Sequence, residues 1–346
     1  MPGLCSGWNA SDGFRAWRFR CANALEIAAA LRRVGRMRAS PANWIFSAAQ
    51  RIDVPAPGVL VVRLRFPWRR FPYALTVVAA APRGVDGPFR LVRGSRNRVE
   101  LTRNGITVSF RRLTGIGVLR ALRRGELDEA PIPLGDAGRF RSDPATLRVR
   151  RLLAMDAVVF RRGAVPEDVR RAYWQTANRD DYQALVAEDG AAAAFGIVGK
   201  PRKEDPAAFR RAVKSIDSLP PIHVRITVPP DATLQYGSRI LYAQWRDRAL
   251  GPELVLPREP ADADFRRVAA PYPQDEALLG AFGLPAALGT YDQRAAFARL
   301  DEGLQRSALV IPVCWVADAR WVSPRLRGWS EDVLGDVDYT RVSVAG

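Results

Sequence analysis

The chain has 346 residues, with 53 Lys+Arg against 36 Asp+Glu and a formal net charge of +17. At roughly 150 residues per domain this is about two domains, and 48% hydrophobic content excludes a disordered or collagen-like chain. Fifty of the 53 basic residues are Arg, the exceptions being Lys200, Lys203 and Lys214, and they are scattered rather than clustered. No run of five basic residues, RNP-type aromatic motif or zinc-finger spacing accompanies the charge, so no nucleic-acid partner is expected. His223 is the single histidine, which excludes His-rich metal sites and a conventional catalytic triad. Cys5, Cys21 and Cys314 are odd in number and widely spaced, and from them neither a disulfide framework nor a zinc site is expected. Cys314, in LVIPVCWVA, reads as a small buried residue.

No stretch reaches the ~18 apolar residues of a spanning helix. The opening MPGLCSGWNASDGF has neither a basic nor an apolar export region, and only four residues precede Cys5, so no signal peptide is expected. Residues 14–20 then alternate as a strand. Residues 22–37 place Leu25, Ala28, Leu31 and Val34 on one helical face, with Asn23 as its cap. Ser40-Pro41 starts a second short helix. Alternation at 52–54 and 60–66 around Pro55-Ala-Pro-Gly58 predicts a hairpin, and residues 90–103 predict another with Gly94-Ser95 in its turn. A strand follows at 105–111, then a helix ended by Gly125, then a strand over 147–160.

From Val165 the texture changes. Residues 166–188 form one strongly helical segment, and 190–206 read as a Gly/Ala/Pro loop. His223–Val228, a helix ended by Gly251 and the strand PELVL make a βαβ unit. Residues 263–273 give one more strand running into a Pro-bracketed loop. A helix capped by Thr290, with Tyr291, Ala295, Ala298 and Leu304 inward, leads to a buried strand from Leu309.

Several of these segments carry a resemblance. Gly87-Pro88-Phe89-Arg90-Leu91-Val92 followed by Val99-Glu100-Leu101-Thr102-Arg103-Asn104 is similar to the "GPF.LV…LERN" signature of the extracytoplasmic solute-binding proteins of family 5, the oligopeptide, dipeptide and nickel receptors of ABC importers. Ala121 to Asp128 resembles the "aL..GEiD" element, Val169 to Asp180 the "VR.A…A.dR" helix, and Val310-Ile311-Pro312-Val313 with Leu326-Arg327-Gly328-Trp329 the "viPl…v.G" ending. The order covers roughly residues 14–344. The "kF.dG" passage near the start is not found. The resemblance implies an α/β fold of two lobes with mixed sheets and a hinge, lacking part of the N-terminal lobe. Lobe I would be 1–160 plus 305–346, and lobe II 161–304.

It also implies a ligand held between lobes, by backbone hydrogen bonds and a carboxylate facing the ligand's amine. Ala269 to Asp275 aligns loosely with the "w.aDyPDp" loop. Asp275 is then the candidate amine anchor, or a helix cap before Glu276; Tyr272 offers a ring and a hydroxyl, and Gln274 a polar group beside them. Trp315, Asp318 and Trp321 follow the buried strand and are further ligand-binding candidates, with core packing and an ordinary turn as the simpler readings. Trp44 reads as core, and His223 as an exposed strand position, not a nickel ligand.

No GxSxG, GxxxxGK[ST] or HExxH is present, so an enzyme is not expected. Neither a cofactor nor a metal is expected. The reading is a monomeric, extracytoplasmic substrate-binding component of an ABC importer for peptides or a related small solute, with permease subunits as partners. The alternatives are a cytoplasmic ligand-sensing or regulatory module of the same fold, or a truncated, non-functional remnant.

Overall fold

The computed structural model describes residues 4–37, 40, 43–77, 88–132, 146–186, 191–197, 207, 210, 214, 216, 223–248, 250–274, 276–282 and 294–345. Among them the chain is mixed α/β.

The first sheet joins β1 (Cys5–Ser11), β2 (Ala16–Cys21), β3 (Ala49–Ala56) and β4 (Val59–Leu64), in the antiparallel order β1-β2-β4-β3. Alternation buries Trp17 and Phe19 with Leu60, Val62 and Leu64 on one face and leaves Arg18, Arg20 and Arg63 outside. Helix α1 (Ala24–Arg36) packs on β3 and β4. Its buried stripe is Ala24, Ile27, Ala28 and Leu31, whereas Leu25 is 72% exposed. Ala28 and Leu31 of the expected face are thus buried, but Leu25 is not, because the i, i+3, i+4, i+7 set starts at Ala24. Asn23 precedes the helix without a side-chain capping bond.

The expectation about the cysteines is overturned. Cys5 and Cys21 form a disulfide that ties β1 to β2, where their register already makes them partners. Spacing alone did not reveal it because the pairing depends on CSGWNAS being a strand. Cys314 is free and buried.

The largest sheet among the described residues is mixed and has seven strands. Its order is β10 (Ala192–Ala193), β14 (Val310–Val322), β9 (Leu147–Phe160), β13 (Ala263–Ala269), β11 (His223–Thr227), β12 (Gly251–Val255), with β8 (Glu129–Pro131) also on β14. β11 and β12 are parallel, and α7 (Ala232–Arg246) makes the crossover between them. Asp231 caps α7 by accepting from Leu234 N–H at 2.9 Å; the helix stops at Arg246 and Gly251 opens β12 instead of ending the helix.

The expected long helix after Val165 is two, α5 (Glu167–Thr176) and α6 (Arg179–Val186). Ala177 is extended, and the Asn178 side chain accepts from Asp181 N–H at 3.0 Å, which starts a new helix. Thr290 and Tyr291 lie outside the described residues.

Three further strands, β5 (Arg90–Gly94), β6 (Arg98–Arg103) and β7 (Ile106–Arg111), make an antiparallel sheet, and β15 (Leu326–Arg327) pairs with β16 (Ser343–Val344). Helix α4 (Gly115–Arg123) is capped by Thr114, and Gly125 at φ 68° closes it, the end that the sequence predicts.

Two compact units result: residues 1–80, 153–187 and 191–316, and residues 81–152, 188–190 and 317–346. Both boundaries fall inside long strands, at 152/153 in β9 and 316/317 in β14. This grouping differs from the expected lobes. Residues 1–80 go with 153–316 because α2 (Asn43–Ser47) and α3 (Phe71–Ala74) pack against the segment after β13. Trp44 stacks on Trp68 at 5.9 Å and meets Tyr272 at 6.3 Å. Gly280, in α8 (Glu276–Ala281), lies against the Trp44 ring so closely that a Cβ would overlap it.

Candidate functional site

Residues 270–274 continue β13 into a loop pinned by its own backbone. Ala270 N–H donates to Leu153 C=O at 2.8 Å, and Gln274 N–H to Tyr272 C=O at 2.7 Å. Tyr272 is wholly buried, so in this structure its ring packs with Trp44 rather than facing solvent. Gln274 is half-buried, and its Oε1 accepts from Arg70 Nη1 at 2.6 Å. Asp275 lies outside the described residues. With Tyr272 set on the tyrosine of the loop motif, the motif's two acids fall on Pro271 and Gln274, neither of which carries a charge.

The strand β14 holds the other candidates. Trp315 is 7% exposed and sits opposite Ala192 of β10. Trp321 packs beside Leu122, Ala130, Ile132 and Ala319. Strand alternation turns Trp315 and Trp321 to one side and Asp318 to the other. The strand thus does not bring these three together.

Asp318 belongs instead to a network the sequence did not reveal. Arg320, two residues along the same strand, gathers three carboxylates: Glu129 at 2.7 Å, Asp318 at 3.0 Å and Glu331 at 2.8 Å. Arg320 Nη2 also donates to Gly335 C=O at 2.9 Å. Glu129 accepts in turn from Trp329 Nε1 at 2.8 Å and Tyr339 Oη at 2.9 Å. One guanidinium cannot neutralise three acids, of which Glu331 is buried and Glu129 and Asp318 are half-buried. Burial first, and Asp318 beside it, push the Glu331 carboxyl up to about 7 against the pull of Arg320. Burial and the neighbouring Glu129 likewise hold the Tyr339 phenol protonated. Glu129 and Arg320 are 191 positions apart in sequence, so no local motif marks their meeting.

In the other unit, Asp156 is 3% exposed and receives Arg267 in two-pronged fashion, Nε at 2.8 Å and Nη2 at 3.1 Å, and Tyr182 Oη at 3.2 Å. Burial, then the Asp156 charge, raises the Cys314 thiol to about 12, so it stays an unreactive packing group. Arg179, from the "A.dR" segment, is fully buried between the Trp174 and Phe195 rings, at 4.5 and 4.9 Å. It donates to the carbonyls of Pro312, Ala177 and Trp174 at 2.8, 3.0 and 2.9 Å. Two of the stretches that carried the resemblance therefore meet through this side chain, which locks α5 and α6 to β14.

No group of three or more His, Cys, Asp or Glu that could hold a metal ion occurs among the described residues. No described helix is long and apolar enough to cross a membrane.

No protein-family model matches the sequence, and no curated protein is matched either. Solved structures do match. The chain is similar over 100% of its length to OppA of Haemophilus influenzae in complex with RPPGFSPFR, with a TM-score of 0.76, 14% identity and 90% of that chain covered. The chain has the fold of the family 5 solute-binding proteins. The murein tripeptide binding protein MppA of Escherichia coli matches with a TM-score of 0.74 and 13% identity, over 100% of this chain and 90% of that one. NikA of Brucella suis in complex with Fe(III)-EDTA matches with a TM-score of 0.72 and 15% identity, over 99% of this chain and 91% of that one. The fold that the motif order implied is thus present, at an identity too low for any one motif to have announced it alone.

Proposed function

We propose that the chain captures a small solute, foremost a short peptide, as the binding component of an ABC importer. The observation that supports this most is the whole-chain likeness to OppA holding a nonapeptide and to a murein tripeptide binding protein. Metal-chelate binders share the fold, but the one histidine, His223, sits exposed at the start of β11. An extended peptide gains affinity from main-chain hydrogen bonds, which need few specialised side chains. No bond in the solute is made or broken.

The Cys5–Cys21 disulfide fits an oxidising compartment, which supports a location outside the cytoplasm. Permease subunits are the partners the role requires. Gln274 and Asp275 are assigned to the solute, with the buried Tyr272 two residues before Gln274 holding the loop. Thermal-shift titration with mixed di- to nonapeptides tests the reading. Stabilisation is expected, and Asp275→Asn should weaken binding by about tenfold if its carboxylate meets the peptide's amine. Absence of stabilisation by every peptide length defeats the proposal; equal affinity of Asp275→Asn removes only the anchor.

A further inference from the structure

Residues 329–341 form a strap with little regular structure. Within it Glu331 bridges to Val337, and Tyr339–Arg341 make one 3-10 turn. Among the described residues, every hydrogen bond from the strap to the strands runs through a side chain. Arg150 of β9 donates to Glu331 C=O, Arg320 of β14 to Gly335 C=O at 2.9 Å, and Arg103 of β6 to Thr340 C=O at 3.2 Å. Trp329 and Tyr339 donate in turn to Glu129 of β8. A segment fastened in this way opens locally, because no ladder of backbone bonds has to break with it.

Glu331 is the buried centre of the fastening. Arg320 Nε stands 2.8 Å from Glu331 Oε1 and 3.0 Å from Asp318 Oδ2. Its single N–H is aligned on Asp318, and Glu331 Oε1 accepts no hydrogen bond. An anion there leaves a buried acceptor unmet, whereas a protonated carboxyl donates to Asp318. The other charged and titratable groups around Glu331 do not relieve an anion. Arg150 serves its carbonyl, Glu129 takes another arm of Arg320, and the Tyr339 phenol is turned to Glu129. Arg103 and Arg341 are engaged by Thr340 C=O and Asp338. Asp332, Asp336 and Asp338 share with Glu331 the lining of a pocket of about 310 Å³ and add negative charge.

We propose that a proton on Glu331 fastens this strap, so that residues 329–341 come loose from β8, β9 and β14 as the pH rises while those strands stay in place. Lifted into water, the Glu331 carboxyl loses its proton near pH 4.5; fastened, it holds the proton up to about 7, chiefly through burial. Opening therefore becomes more favourable as the pH rises through that window and changes little above it. Tyr339 moves with the strap. It lines a cavity of about 640 Å³ together with Phe110 and Glu129, so the same proton holds that wall in place. The strap and its partners lie within residues 81–152 and 317–346, and the inference does not depend on the importer reading.

Hydrogen–deuterium exchange of the full chain between pH 5 and pH 8 tests this. Comparing the parent with Glu331→Gln at each pH cancels the pH dependence of the exchange chemistry itself. Over residues 329–341 the parent-to-variant ratio of exchange rates should rise by about tenfold or more from pH 5 to pH 8. Residues 147–160 and 310–322 should show no such rise. Asp318→Asn removes the repelling charge and should move the midpoint of the rise down by at least about one pH unit. A ratio that stays flat or falls with pH overturns the proposal, as does an unmoved midpoint in Asp318→Asn. An equal rise over 147–160 and 310–322 also overturns it, because the strands then open together with the strap. If Glu331→Gln misfolds, exchange over 329–341 in the parent, referred to residues 98–103 at the same pH, gives the same comparison.

Discussion

Replacing Glu331 with Gln isolates the charge crowded around Arg320. The Glu331 side chain is 2% exposed and shares Arg320 with Asp318. Its carboxyl stands at about 7 instead of 4.5, chiefly because burial disfavours the anion and Asp318 repels it. In an unfolded chain the same carboxyl loses its proton near pH 4.5. Between these two values the folded state holds a proton that the unfolded state does not, so stability falls as pH rises through the window and levels off above it. At ~1.4 kcal/mol per unit the full shift is worth on the order of 3 kcal/mol, and sharing of the proton with Asp318 brings the expected effect to about 1–3 kcal/mol. Glu331→Gln stays neutral throughout. Urea unfolding followed by tryptophan fluorescence at pH 5 and pH 8 gives the comparison. The parent should lose about 1–3 kcal/mol more than the variant between the two pH values, and the variant should be the more stable of the two at pH 8. Parallel pH profiles for parent and variant would refute the crowding argument, and greater stability of the parent at pH 8 would mean that Glu331 works there as an ordinary ion-pair partner.

Three other substitutions probe the frame. Gly280→Ala forces a methyl into the Trp44 ring, and chemical denaturation should show a loss of about 1–3 kcal/mol. Cys5→Ser opens the loop closed by the disulfide over a sequence separation of 16; the loss should be about 3 kcal/mol and should vanish when both proteins are measured in reductant. Arg179→Met keeps the stem between Trp174 and Phe195 but abandons the carbonyls of Pro312, Ala177 and Trp174. A midpoint drop worth at least about 3 kcal/mol is expected in urea.

Long apolar strands were the most readable part of the chain. LRVRRLLAMDAVVF and VIPVCWVADARWV span two units and still read as strands from end to end. β1 did not, because CSGWNAS sets Trp8 and Ala10 among small polar residues and its strand character comes from pairing with Phe19 and Trp17. With that strand unseen, the disulfide was unseen too. The break between α5 and α6 was written locally, in Asn178 three residues before Asp181, but helical periodicity on both sides masked it. The site was harder. Tyr272 was recognisable as a loop residue, yet its burial depends on Trp44, more than two hundred residues earlier. Asp318 was visible, whereas Arg320 and its partners Glu129 and Glu331 become a group only once β8, β14 and the segment after β15 are assembled.

In the proposed role the chain holds a peptide and leaves it intact. Calorimetric titration of the purified chain with a length-graded peptide mixture, followed by mass spectrometry of what is released on denaturation, tests both parts at once. Saturable heat and recovery of the same peptides at unaltered mass are expected. Flat titrations across the whole mixture, or peptides recovered in cleaved form, would contradict it.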